Sequence, residues 1–177
     1  MTTPIAIFAA DGGLWVTDGT AAGTTELQIA GAGAFFNPGG FTAFGNEVLF
    51  SATDEQGETS LWVTDGTSAG TREIPVSGAD PRNGPQPANF TVFGDKVLFS
   101  GTNSLGLAGL WITGGTSAGT TELQVAGASP GDGLQPSEFT VLGKRRKSPG
   151  TPAFFSCADS PPWTLCVMCC RHPPFPR

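Results

Sequence analysis

The chain has 177 residues and a formal net charge of −6, unevenly distributed. Residues 1–143 carry three Lys and Arg against fourteen Asp and Glu and contain no Cys and no His. That composition excludes disulfides and thiolate metal sites there and argues against nucleic-acid binding, which needs a basic surface; no run of 18 apolar residues exists, so no membrane-spanning helix is expected.

The chain opens MTTPIAIFAADGG. Its apolar run, Ile5 to Ala10, is too short for a signal peptide and lacks a basic n-region, so Sec export is not supported. Export by another route and a cytoplasmic location both stay open. LWVTDGTAAGT follows from Leu14, and the same string returns as LWVTDGTSAGT from Leu61 and LWITGGTSAGT from Leu110. Trp15, Trp62 and Trp111 therefore stand 47 and 49 residues apart. A second block keeps step with the first: FTAFGNEVLFSATD from Phe41, FTVFGDKVLFSGTN from Phe90, and a truncated FTVLG from Phe139. A period near 48 marks a repeat architecture.

Each period reads as short strands. In the second, Phe41–Phe44 is a strand and Gly45-Asn46 turns the chain into Val48–Ala52, which is rich in β-formers. A polar loop, Asp54 to Thr59, leads to the strand Leu61–Thr64; DGTSAG turns again, and Thr71–Val76 is the fourth strand. Four strands in about 48 residues is the arithmetic of a β-propeller blade. The expected fold is all-β: about three four-stranded antiparallel units in a partial or open β-propeller, with almost no helix. A lone sheet buries little, so the repeating Trp and Phe residues are expected to pack between units. Ile5–Ala10 matches the VLFSA strand, so the chain enters its first unit partway through. Closed propellers usually use four or more blades, so the expectation is a fragment of a longer propeller, an open array, or a half that pairs with another chain, with exposed edge strands able to self-associate.

The motif LWVTDGTxAGT, followed by an apolar VLFS strand, resembles the bacterial ELWxxDGT-repeat family, some members of which are called hyalin-like. The resemblance spans about residues 5–143 and implies propeller-like architecture and an extracellular or cell-surface location. It implies no catalytic residues. The family's Glu is replaced by Gly13, Ser60 and Gly109, and its Asp is kept as Asp18 and Asp65 but is Gly114 in the third copy.

Residues 144–177 differ in kind. They hold six Lys and Arg against one acid, all four Cys, the single His and seven of the fifteen Pro. The segment is expected to be a separate, disordered tail, a degraded fourth repeat after an insertion, or a frameshifted end. Phe155-Ser156 and Leu165-Cys166-Val167 echo FS and LWV, both about seven residues late. Cys166-x-x-Cys169, with Cys157, Cys170 and His172 nearby, has the spacing of half a zinc site, and a second well-spaced pair is missing. Lys144–Lys147 is a short basic run of the kind found in solvated linkers.

Candidate chemistry in the body is sparse. GTSAG, around Ser68 and Ser117, fits the G-x-S-x-G pattern, but a nucleophile elbow needs strand–turn–helix context and a His base, and the first copy has Ala21. The motif positions Asp18 and Asp65, with Gly19, Gly66, Gly115, Gly23, Gly70 and Gly119, are expected to make turns, glycine supplying unusual dihedrals and Asp bonding nearby backbone. Asp54, Asp80 and Asp132 add loop carboxylates that could serve calcium or a propeller hydrolase, although calcium needs six to eight converging oxygens and no EF-hand loop is present. Asn89-Phe90-Thr91 is a formal glycosylation sequon. No catalytic residue, metal ligand or cofactor is assigned. The expected role is a non-enzymatic interaction module for a protein or glycan partner.

Overall fold

The structure is a computed structural model, and it describes residues 5–143. Every assigned element among them is a strand. The first sheet contains β1 (Ala6–Ala10), β2 (Gly13–Thr17) and β3 (Thr25–Glu26). The second contains β4 (Gly39–Phe44), β5 (Glu47–Thr53), β6 (Thr59–Thr64) and β7 (Arg72–Ile74). The third contains β8 (Ala88–Phe93), β9 (Lys96–Thr102), β10 (Ala108–Thr113) and β11 (Thr121–Glu122). Neighbours in sequence are neighbours in the sheet, all pairs are antiparallel, and no sheet closes on itself.

The first sheet has three strands, in keeping with a unit that the chain enters partway through, and nothing among the described residues pairs with the free edge of β1. One expectation needs correction. The last strand of the second sheet stops at Ile74 rather than Val76, where Pro75 removes a backbone donor from the ladder. The tight turns follow their residues. Asp11 and Gly12 both have positive φ (51° and 78°), as a two-residue type I′ hairpin requires, and Gly45 and Gly94 (φ 63° and 68°) open the hairpins between β4 and β5 and between β8 and β9.

Register places the motif identically in each sheet. Trp15 lies opposite Phe8, Trp62 opposite Phe50 and Trp111 opposite Phe99, with ring centroids 6.2–6.4 Å apart. Strand alternation then gives every sheet two faces. One carries Trp and Phe. The other carries the flanking aliphatics, such as Leu49, Leu61 and Val63 in the second sheet.

The core is built where unlike faces meet. Leu14 of the first sheet packs with Phe36, Phe50, Ala52 and Trp62. Leu49, Leu61, Val63 and Ile74 of the second pack with Val97, Phe99 and Trp111 of the third. The connector leaving each sheet stitches it to the next. The Asn37 N–H donates back to the Gly12 carbonyl, while Gly33 N–H donates to Thr53 O and Thr53 N–H to Phe36 O in the sheet ahead. The second connector repeats this, with Gln86 N–H to Thr59 O behind and Asp80 N–H to Thr102 O ahead. Gly31 and Gly78 each lie against the rim of the next sheet's indole, Trp62 and Trp111 respectively.

Candidate functional site

The motif turn is a closed hydrogen-bond relay, and its key members are threonines. Thr71 Oγ1 donates its one proton to Thr67 O (2.6 Å). It must therefore accept from Thr64 Oγ1 (2.7 Å), which in turn accepts from the Gly66 N–H (3.0 Å). The same relay runs through Thr17, Thr24 and Thr20, and through Thr113, Thr120 and Thr116. Both terminal threonines occur in all three copies, whereas the Asp does not.

Asp18 and Asp65 sit outside the relay. Each carboxylate accepts from the backbone N–H and hydroxyl of the threonine two residues on, Thr20 or Thr67. The threonine hydroxyl, then its N–H, holds each carboxyl below its ordinary range. Asp80 is lowered too, by the Arg82 N–H and then the Asn83 side chain. In the third copy Gly114 donates instead to the Gly119 carbonyl (3.2 Å), and the threonine relay is unchanged.

The glycines divide into two kinds. Gly19, Gly66 and Gly115 have φ of 82–90° and supply the dihedral. Gly23 and Gly70 do not; a Cβ there would overlap the Asp18 or Asp65 carboxylate. Their role is space, which corrects the expectation that unusual dihedrals explain them. A Cβ at Gly119 would instead meet the Thr116 hydroxyl, at 2.9 Å. Gly70→Ala should therefore destabilise more than Gly119→Ala, by about 1 kcal/mol, the worth of the displaced carboxylate bonds. Urea unfolding of the two variants checks the order; equal midpoints would contradict it.

Acid titration makes a linked prediction. A depressed folded-state pKa contributes stability that is present above the unfolded value, near 3.8, and lost as pH falls through the folded value. Stability should fall on acidification below about pH 4. Carboxyl NMR should find Asp65 titrating below the ordinary value and Thr67→Val raising it; an Asp65 pKa unmoved by Thr67→Val would rule out the threonine as the cause.

Ser68 lies exposed in a strand–turn–strand segment between β6 and β7, and Ser117 donates to the Pro75 carbonyl (2.6 Å). Neither has the helix that a nucleophile elbow uses. The other acids are scattered. Asp54 is buried and accepts from Gln56 and Glu58 N–H and from Ser60 Oγ, which fixes the β5–β6 loop. Asp132 accepts from Ser129 Oγ (3.2 Å). Among the described residues no three His, Cys, Asp or Glu side chains gather at one point. The Cys166–Cys169 pair, His172 and the Lys144–Lys147 run lie outside the described residues.

Sequence reasoning missed two acids. Glu26 and Glu122 lie across the strand from Gly13 and Gly109, in the space that a side chain there would fill. Each borders a shallow cleft between the motif strand and the connector, about 220 Å³ beside Glu26 and about 120 Å³ beside Glu122. Glu122 accepts from Asn103 Nδ2 and Gln124 Nε2. The signal was the missing side chain at Gly13 and Gly109, which leaves that room.

The ends of the stack differ from its middle. Trp62 and Trp111 are each 1% exposed, whereas Trp15 is only half-buried, because no sheet among the described residues covers its face. At the other end Leu98, Leu110 and Ile112 are half-buried, and Leu123 and Val125 are 36% and 41% exposed. No helix among the described residues is long and apolar enough to cross a membrane. No family model, curated protein or solved structure matches the chain.

Proposed function

We propose that the chain is a non-enzymatic interaction module, a propeller-like array of motif-bearing sheets that presents its loops and open faces to a protein or glycan partner outside the cell or at its surface. One observation carries the proposal: the groups with chemical potential in the repeated motif are committed to the scaffold. The Trp62 and Trp111 indoles fill the spaces between sheets, the threonine hydroxyls form the relay, and Asp18 and Asp65 bond their own turns. The resemblance to ELWxxDGT repeats supports the architecture and the location.

The competing hydrolase needs paired carboxylates, one of them a protonated acid. Glu26 and Glu122 border the two clefts and are the residues to test. Incubation with a panel of aryl glycosides and esters should give no turnover above background. Turnover abolished by Glu26→Gln or Glu122→Gln, with the fold intact, would refute the module reading.

A further inference from the structure

We propose that the open face of the first sheet receives the open face of the third sheet from a second copy of this chain, with residues 139–142 of one copy pairing along β1 of the other. Such docking rests on the module reading above and names that module's partner.

The two open faces are the halves of an interface that the molecule already makes twice. A Trp-Phe face meets an aliphatic face between the first and second sheets and again between the second and third. Left over are one Trp-Phe face, with Trp15 and Phe8 half-buried, and one aliphatic face, with Leu123 and Val125 exposed. Because the two unlike faces lie on opposite ends of the array, their association is head-to-tail. The seat for the incoming indole is visible. Gly31 and Gly78 lie against Trp62 and Trp111, while a Cβ at Gly127, which has the same positive φ (90° against 82° and 84°), would meet none of the described residues within 4 Å. Trp15 of the second copy fits that seat.

The strand edges match independently. β1 corresponds to β5 and β9, which carry β4 and β8 on the side where β1 carries no strand among the described residues. Phe139-Thr140-Val141-Leu142-Gly143 repeats the sequences that form β4 and β8, yet it pairs with no strand among the described residues; Val141 is 45% and Leu142 87% exposed. Its approach is already shaped for pairing. Glu138 (φ 52°) takes the positive φ of Gly40 (70°) and Asn89 (58°), and Gln135 (47°) that of Gln86 (44°). In β4 the bulge at these residues precedes the pairs Thr42 with Leu49 and Ala43 with Val48. The same register puts Thr140 opposite Ile7 and Val141 opposite Ala6 of the second copy. Two copies would bring together six sheets, within the four to eight of radial sheet arrays.

Sedimentation equilibrium of the full chain under reducing conditions, across a wide concentration range, tests this. The expected species is about twice the 18.1 kDa chain mass, reverting to the single-chain mass in Ala6→Arg and in Val125→Arg, both exposed positions, with the far-UV circular dichroism of a β-sheet protein retained. Hydrogen exchange on the unaltered protein gives a second readout: β1 amides should gain protection as concentration rises. A wild type that stays monomeric, or an oligomer that neither variant weakens, overturns the proposal. A monomer in which Trp62 and Trp111 remain shielded would leave the module reading standing, so the two failures are distinguishable.

Discussion

Trp62→Ala should cost about 3–5 kcal/mol of stability, the range for truncating a large buried aromatic. The indole is 1% exposed. It meets Phe36 edge-on at 5.0 Å and stacks on Phe50 at 6.4 Å, and Gly31 lies beneath its rim. The surroundings cannot collapse into the space without moving the connector, which is fixed to β5 through Gly33, Phe36 and Thr53. Trp15→Ala removes the same atoms from a half-buried site with no sheet over it and should cost distinctly less in dilute solution. Urea unfolding followed by circular dichroism compares them, and equal losses would mean that Trp62 is not packed between sheets.

The second large effect is expected at Thr64. Thr64→Val keeps the shape and removes a hydroxyl that is fully buried. The Gly66 N–H then loses its acceptor and Thr71 Oγ1 loses its donor. Leaving buried polar groups unpaired costs about 1–3 kcal/mol. Thr17→Val breaks the equivalent relay in the half-buried first copy, where water can replace the lost partner, and should cost less. Asp65→Gly, by contrast, reproduces what the third copy already has at Gly114 and should be tolerated better than Thr64→Val. If Asp65→Gly proved the more damaging, the Asp rather than the threonine relay would hold the turn.

Strand positions and their hairpins were legible in the sequence because period-2 alternation and Gly-Asn or Asp-Gly pairs are local signals. So was the matching placement of Trp15, Trp62 and Trp111 in phase. Both relay threonines recur in every copy, yet nothing in a one-dimensional string marks them as partners, and Asp and Ser carry the more familiar chemistry. Closing eight residues, Thr64 to Thr71, into one hydrogen-bonded loop is a fact of three dimensions. The distinct roles of Gly66 and Gly70 were hidden for the same reason: composition cannot separate a required dihedral from a required void. Trp15 shows the deepest limit. Its local sequence matches that of Trp62, and its exposure depends on which sheet stands beside it.

The central claim is that the repeated motif is scaffold, with the Trp62 and Trp111 indoles each packed against the connector that arrives from the sheet before it. Nuclear Overhauser contacts between the Trp62 ring and Gly31 Hα, and between the Trp111 ring and Gly78 Hα, measure this most directly. Both contacts should be present, with the two indoles shielded from solvent. Their absence, with Trp62 and Trp111 as open to water as Trp15, would contradict the packing of each sheet against the next.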